Sequence, residues 1–172
     1  MFVQLSKKVN MKICGIVGLK NSGKTFLAQK LITYFVKQKY KVASIKHAHH
    51  GFDIDKPNTD SFLHRKAGSE EVVVSSSKRW VKIVELNQRK EKNLKELIVD
   101  LENPDIVIVE GFKKEEHMKI EIINDNSAEN QYLFPNLKNV FCIISNKKIN
   151  TTLAQFKINE IENIAKYILE KT

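Results

Sequence analysis

The sequence predicts an α/β protein in which a mostly parallel β-sheet is flanked by helices. Two observations lead to this prediction. The apolar run 13–17 precedes Gly18-Leu-Lys-Asn-Ser-Gly-Lys-Thr25, a G-x-x-x-x-G-K-T phosphate-binding loop, and apolar residues at helical spacing follow it. Strand-like and amphipathic segments then alternate along the chain. Together they indicate the three-layer fold of P-loop NTPases, with an added β-hairpin.

The first half of the chain contains the elements that surround this loop. A helix is expected from Thr25 to about Gln38, and residues 42–45 read as a second strand. A short helix is expected to begin at Asp60 or Ser61 and to end at Gly68. Residues 71–76 and 80–86 are strand-like and are joined by a short polar turn, which predicts the hairpin.

The second half continues the alternation. Apolar residues at 94, 97, 98 and 101 predict a helix that ends at Asn103-Pro104. A buried strand is expected over 105–109, ending in Glu110-Gly111. Residues 119–123 alternate like a more exposed strand, and 139–145 form another apolar strand. The last helix is expected to start with a capping box made by Asn159 and Glu162.

Length and composition favour one domain over residues 11–172, with residues 1–10 as a flexible extension. No apolar run is long enough to span a bilayer, and the apolar part of the N-terminal segment is too short for a signal peptide. Cys14 and Cys142 lie in apolar strand-like runs without C-x-x-C spacing, which indicates core thiols. We therefore expect a cytoplasmic protein with no membrane partner.

The positive charge is concentrated in the first half. Residues 1–86 carry 16 Lys/Arg and 6 Asp/Glu, a net +10, whereas residues 87–172 carry 13 and 14, a net −1. This asymmetry suits an anionic ligand such as a nucleotide. Only 3 of the 29 basic residues are arginines, and aromatic residues do not alternate with basic ones, so nucleic acid is not expected as a partner.

The P-loop supplies the candidate nucleotide site. Its backbone N–H groups and the helix N-terminus suit phosphate oxygens, Lys24 can reach the β- and γ-phosphates, and the Thr25 hydroxyl can ligate Mg²⁺. Glu110 ends a buried strand, where such proteins place an acid that acts on the metal or the attacking water. Lys24 and Glu110 are the candidate catalytic residues. The candidate nucleotide-binding set is Gly18, Asn21, Ser22, Gly23, Lys24, Thr25 and Phe26.

A second polar segment, 46–55, contains three histidines and two aspartates in ten residues. Imidazole and carboxylate groups suit a transition metal, lysine and charged histidine suit phosphate, and the carboxylates suit Mg²⁺. The sequence leaves these alternatives open. Asn146-Lys147-Lys148-Ile149 follows a predicted strand like the N-K-x-D guanine motif, but it lacks the aspartate.

These motifs together closely resemble the MobB family of molybdopterin-guanine dinucleotide biosynthesis proteins. The resemblance rests on the P-loop, His47-Ala-His-His-Gly-Phe-Asp-Ile-Asp-Lys-Pro57, Val109-Glu-Gly-Phe-Lys113 and Lys119-Ile-Glu121. It implies a homodimeric GTP-binding adapter with low intrinsic GTPase activity. Such an adapter acts beside a MobA-type guanylyltransferase, and molybdopterin is a further candidate ligand.

The resemblance also implies roles for individual residues. The metal shell would comprise Thr25, Asp53, Asp55 and Glu110, with Mg²⁺ as the ion. A second anion site would comprise His50, His64, Arg65 and Arg79. The chain departs from the family pattern at Pro57-Asn-Thr-Asp-Ser61, where the family has P-G-K-D-S.

Two other functions fit parts of the sequence. A metal-insertion GTPase would use His47, His49 and His50 for nickel or zinc, but the loop that carries them has no cysteines, and a His-rich tail is missing. A small-molecule kinase would close an arginine-rich lid over the phosphates. With arginine only at positions 65, 79 and 89, the sequence disfavours that reading.

Overall fold

The computed structural model describes residues 11–48 and 51–172, which form two compact units. The core unit consists of the described residues up to His47 together with Leu94–Thr172, and the insert unit is Ala48–Asn93. In chain order the elements are β1 (Lys12–Val17), α1 (Lys24–Lys37), β2 (Val42–Lys46), α2 (Asp60–Lys66), β3 (Glu71–Ser75), β4 (Trp80–Val84), α3 (Leu94–Val99), β5 (Ile106–Glu110), β6 (Lys119–Ile122), β7 (Val140–Ile144), β8 (Ala154–Phe156) and α4 (Ile161–Lys171).

The core unit contains a six-stranded sheet in the order β2-β5-β1-β6-β7-β8. All five strand pairs are parallel. This confirms the predicted α/β class with helices flanking a parallel sheet. The order also brings the carboxyl ends of β1, β5, β6 and β7 to one edge, where ligands of open α/β sheets bind.

Helices cover both faces of this sheet. On one face α1 and α4 bury large side chains, including Leu31, Phe35 and Ile168, against β1, β5, β6 and β7. On the other face Leu94 of α3 packs with Val107 and Val109 of β5. Cys14 and Cys142 are buried free thiols in this core, and burial raises the pKa of Cys142 to about 12. No helix in residues 11–48 and 51–172 is long and apolar enough to span a bilayer.

Strand β6 corrects one expectation. Its alternating sequence suggested an exposed strand, yet all four residues are buried because the strand lies between β1 and β7. Backbone groups satisfy the two charged side chains. Lys119 donates to the carbonyls of Glu115 and of His117, the latter at 2.8 Å. Alternating polar and apolar residues indicate a strand that is buried on one face only when the polar side chains face water. In β6 the side chains of Lys119 and Glu121 bind backbone groups instead.

Helix α4 corrects a second expectation. Its N-cap is Glu160, without a side-chain cap, so the predicted capping box of Asn159 and Glu162 does not form. Glu160 instead accepts a hydrogen bond from the backbone N–H of Lys157 at 2.7 Å, while Glu162 pairs with Lys166 one turn along the helix. Strand β8 and the short 3-10 helix Glu129–Gln131 were not predicted, because three-residue elements carry little periodicity.

The insert unit contains α2 and the antiparallel β3–β4 hairpin. The hairpin pairs Glu71 with Val84 and Ser75 with Trp80, which confirms the predicted pairing of these segments. The Ser76 hydroxyl accepts the N–H groups of Lys78 and Arg79 and so closes the turn. This unit lies within the span 11–172 for which the sequence predicted one domain. The predicted extension 1–10 lies outside the described residues.

Candidate functional site

The P-loop joins β1 to α1 and needs glycine at two positions. Gly18 and Gly23 have φ angles of 152° and 99°, a region in which side chains are strained. A Cβ on Gly18 would lie 2.5 Å from the carbonyl oxygen of Ile122 and 2.6 Å from the Ser22 hydroxyl. The loop therefore lies against β6, and only glycine permits this approach. Asn21 adopts the left-handed region as well, with φ at 61°.

Lys24 is the first residue of α1, and its side chain bends over the loop. Its Nζ donates to the carbonyl oxygen of Leu19 at 2.5 Å. Partial burial lowers the pKa of Lys24; the Glu110 carboxylate opposes this shift, and the nearby cations Lys113 and Lys46 add to it. Lys24, Lys46 and Lys113 thus bring three ammonium groups near this loop, where they can attract an incoming anion.

Thr25 and Glu110 meet at the end of β5. The Thr25 hydroxyl donates to both carboxylate oxygens of Glu110, at 3.0 and 3.2 Å, and Lys46 Nζ lies 3.7 Å from Oε1. β5 pairs directly with β1, which places the acid beside the loop. Thr25 and Glu110 line a cavity of about 380 Å³ whose other walls are Lys20, Asn21, Gly23 and Lys24.

This donor set fits Mg²⁺. The ion prefers hard oxygen ligands, usually one or two carboxylates or hydroxyls together with phosphate oxygens and water. Thr25 and Glu110 supply a hydroxyl and a carboxylate within hydrogen-bond distance of each other, next to the lysine that would meet the phosphates. Of the predicted nucleotide-binding residues, Phe26 lies on the exposed side of α1, with Lys30 Nζ 5.3 Å from its ring centre.

Gly111 fixes the segment that follows Glu110. Its φ of 99° requires glycine, and a Cβ there would lie 2.9 Å from the Cβ of His47. The His47 ring stacks on Phe112 with ring centres 4.5 Å apart, and its backbone N–H donates to the Glu110 carbonyl at 2.9 Å. His47 thus packs against the strand end that carries the acid.

In the insert unit, Arg65 donates hydrogen bonds to the two aspartates of the polar segment 46–55. It binds Asp55 through Nε at 3.1 Å and Nη2 at 2.6 Å, and Asp53 through Nη2 at 2.8 Å. Glu85 accepts from Nη1 at 2.5 Å. The hydrogen bonds from Arg65 are the main cause that lowers the pKa of Asp55. The guanidinium of Arg65 is therefore surrounded by three carboxylates. The resemblance had assigned Arg65 to an anion site, and it had assigned two of these carboxylates, Asp53 and Asp55, to the metal shell.

The remaining site predictions fall in separate places. His64 is exposed on α2, and Arg79 is exposed at the turn of the hairpin. His49 and His50 lie outside the described residues. Within residues 11–48 and 51–172, no group of three or more histidine, cysteine or acidic side chains is arranged to hold a metal ion. The second anion site and the aspartate part of the metal shell stay predictions.

Sequence reasoning missed one feature of the core unit. Asp125, after β6, accepts a hydrogen bond from the side chain of Asn146, after β7, at 3.4 Å. The two residues are 21 positions apart, so no local motif joins them. The one sequence feature that pointed to this place was Asn146-Lys147, which follows a predicted strand.

Three comparisons with known proteins bear on this chain. The family model for molybdopterin guanine dinucleotide synthesis protein B matches residues 13–146. The chain is 31% identical to the molybdopterin-guanine dinucleotide biosynthesis adapter protein of Escherichia coli (strain K12) over 96% of both chains. It is also 31% identical to the protein of the same name from Haemophilus influenzae, over 91% of this chain and 86% of that one.

Solved structures share the fold. The crystal structure of Bacillus subtilis MobB superposes with a TM-score of 0.72 at 23% identity, over 93% of this chain and 97% of the other. A crystal structure of molybdopterin-guanine biosynthesis protein B superposes with a TM-score of 0.71 at 22% identity, over 92% and 98%. At this identity the structures support the architecture alone.

Proposed function

Because the chain belongs to the MobB family, we propose that it is a GTP-binding adapter of molybdenum cofactor biosynthesis. It would assist a MobA-type guanylyltransferase in attaching a guanine nucleotide to molybdopterin. The observation that carries the proposal is the meeting of Lys24, Thr25 and Glu110 around one cavity at the end of β1. The assignment to molybdopterin-guanine dinucleotide biosynthesis is supported by the names of the relatives from E. coli and H. influenzae.

The site is built to hold nucleotide phosphates. Lys24 would exchange its hydrogen bond to the Leu19 carbonyl for phosphate oxygens, and the loop N–H groups would supply further donors. Thr25 and Glu110 would hold Mg²⁺, which neutralises charge on the β- and γ-phosphates. Lys46 and Lys113 add positive charge at the same edge.

Hydrolysis at this site is expected to be slow. Efficient P-loop GTPases stabilise the transition state with an arginine supplied in cis or by a partner. The residues that the structure places around this cavity include no arginine. In the insert unit, Arg65 is engaged by Asp53, Asp55 and Glu85. A protein that binds GTP and turns it over slowly suits an adapter. We place it in the cytoplasm as a homodimer, with molybdopterin as a further ligand.

Titration calorimetry with GTP and Mg²⁺ tests the binding site. Hydrogen bonds to a charged group contribute about 1.5–3 kcal/mol each, so Lys24→Ala should weaken GTP binding by about 10-fold or more. Lys37→Ala, at the exposed end of α1, is the matched control and should bind as wild type. Equal GTP affinity in Lys24→Ala and wild type would overturn the site.

A reconstituted assay tests the adapter role. Purified guanylyltransferase, molybdopterin and GTP are combined with and without this protein, and guanylylated product is measured over time. We expect wild type to raise the rate and Lys24→Ala to raise it less. No effect of wild type at stoichiometric concentration would refute the adapter role while leaving GTP binding intact. Sedimentation of the same preparation tests the homodimer.

A further inference from the structure

A second polar recess of about 200 Å³ lies at the carboxyl ends of β6 and β7 in the core unit. Ser22 of the P-loop forms one wall, Asp125 follows β6, and Ser145 and Asn146 follow β7. The recess shares an edge of the sheet with the phosphate site, because β6 is the neighbour of β1 and β7 is the neighbour of β6. Ser22 belongs to the loop that would hold the phosphates, so one ligand can occupy both places.

Two buried hydroxyls in this recess are unsatisfied. Ser22 is 8% exposed and Ser145 is 3% exposed. In the part of the chain that the structure describes, neither Oγ has a hydrogen-bond partner. Buried polar groups are nearly always paired, and a pair of unpaired hydroxyls lining one recess calls for an explanation. A ligand with polar atoms that entered the recess would supply the missing partners.

The Asp125 and Asn146 side chains determine which ligand fits. The Asn146 amide donates to Asp125 Oδ2 at 3.4 Å, so an amide and a carboxylate stand side by side. Position 149, where the N-K-x-D pattern has its aspartate, is occupied by Ile149, which is 6% exposed and packs with Ile123 and Ile143. The carboxylate missing from the local motif is therefore present in space, supplied by the loop after β6.

Neighbouring contacts hold these two segments together. Lys147 Nζ donates to the carbonyl of Ser127 at 2.6 Å and lies 5.5 Å from the centre of the Tyr132 ring. Gln155 of β8 donates to the Lys147 carbonyl at 2.6 Å. Asn124 Oδ1 accepts the backbone N–H of Asn126 at 3.0 Å. The Asp125 carboxylate is thus presented by an organised turn beside the end of β7.

We propose that this recess reads the base of a guanine nucleotide whose phosphates lie in the P-loop; this rests on the proposed GTP-binding function. Guanine presents two adjacent donors, N1–H and the N2 amino group, which a carboxylate can accept together, while the amide of Asn146 can donate to O6 or N7. Adenine presents an unprotonated N1 at the same place. The Asp125 carboxylate would face that lone pair without a hydrogen bond, so ATP is rejected.

The test is a base-specificity switch measured by calorimetry with GTP, ATP, ITP and XTP in Mg²⁺. Wild type should bind GTP more tightly than ATP, and more tightly than ITP, which lacks the N2 amino group, by about 10-fold or more. Asp125→Asn should lower the affinity for GTP by a similar factor and leave the affinity for ATP unchanged. It should gain affinity for XTP, because xanthine has a carbonyl at C2 that an amide can contact.

The control is Asp100→Asn, which removes an exposed carboxylate beyond the end of α3 and should bind all four nucleotides as wild type. The gain of XTP binding separates a change of recognition from misfolding, since a damaged fold gains no ligand. An unchanged GTP-to-ATP ratio in Asp125→Asn overturns the base site. If wild type binds GTP and ATP equally and Lys24→Ala binds neither, the proposed base site is wrong, whereas nucleotide binding by the P-loop is supported. Binding of neither nucleotide by wild type overturns both.

Discussion

Replacement of Glu121 tests how the buried strand β6 is stabilised. Its carboxylate, on a residue only 1% exposed, accepts the backbone N–H of Leu133 at 2.8 Å through Oε1 and that of Phe134 at 2.6 Å through Oε2. Burial raises the pKa of Glu121, and the two N–H donors partly offset that shift. The side chain thus anchors the 133–134 segment to the sheet at the cost of burying charge.

The magnitude follows from these two hydrogen bonds. Glu121→Ala leaves two partly buried N–H groups without their acceptor. A fully buried group of this kind costs about 1–3 kcal/mol and a partly buried one less, so the free energy of unfolding should fall by about 2–4 kcal/mol. Glu121→Gln keeps one acceptor oxygen and removes the buried charge. Its loss should be smaller, about 1–2 kcal/mol.

The assay is urea unfolding followed by far-UV circular dichroism, with the midpoint and slope fitted together. Glu162→Gln is the matched control, because that exposed carboxylate pairs with Lys166 at 2.7 Å on the surface of α4. An exposed pair of this kind contributes about 0.5 kcal/mol or less. A loss of stability in Glu121→Ala no larger than that in Glu162→Gln would show that the N–H groups of Leu133 and Phe134 do not need the Glu121 carboxylate.

Two further predictions follow from other residues of the core unit. Burial, with a smaller effect of Lys119, lowers the pKa of His117 to about 4. The unfolded chain therefore binds more protons than the fold between pH 6.5 and 4. Because solvent screens part of the effect at this half-buried ring, stability should fall by about 1–2 kcal/mol as the pH drops through this window. His117→Gln should show a flatter pH dependence in the same urea assay, and a slope equal to wild type would contradict this. Glu110→Gln removes the charge next to Thr25, so the Mg²⁺-dependent part of GTP affinity should shrink by about 10-fold while Mg²⁺-free binding persists. Titrations with and without EDTA measure this, and an unaltered Mg²⁺ effect would remove Glu110 from the metal shell.

Most of the core fold was predictable from local pattern. Helix α1 and strand β5 of the core unit, and the hairpin of the insert unit, carry strong periodicity signals, and the structure confirms each of them. The burial of β6 was not predictable, because Lys119 and Glu121 look like solvent-facing residues until their backbone partners are known. The cap of α4 was mistaken for a similar reason, since Glu160 satisfies the N–H of Lys157 and displaces the expected box.

In the candidate site, too, local features were predictable and long-range contacts were not. The P-loop and Glu110 could be proposed as site residues from the sequence because a strand end and a loop motif are local features. The surroundings of Arg65 were not foreseen. The resemblance placed that guanidinium in an anion site and Asp53 and Asp55 in a metal shell, whereas in the structure both carboxylates accept hydrogen bonds from the guanidinium. Opposite charges ten or twelve residues apart do not reveal from spacing alone that they pair.

The sequence by itself determined the phosphate loop, the alternation of strands and helices, and the resemblance to MobB, because these depend on residues close together in the chain. Only the tertiary structure decided which side chains meet across the sheet edge. Strand order brings Glu110 to Thr25 and Asp125 to Asn146, contacts between residues 85 and 21 positions apart. Such contacts depend on the sequence of parallel crossovers, which the packing of the whole chain selects and no local pattern encodes.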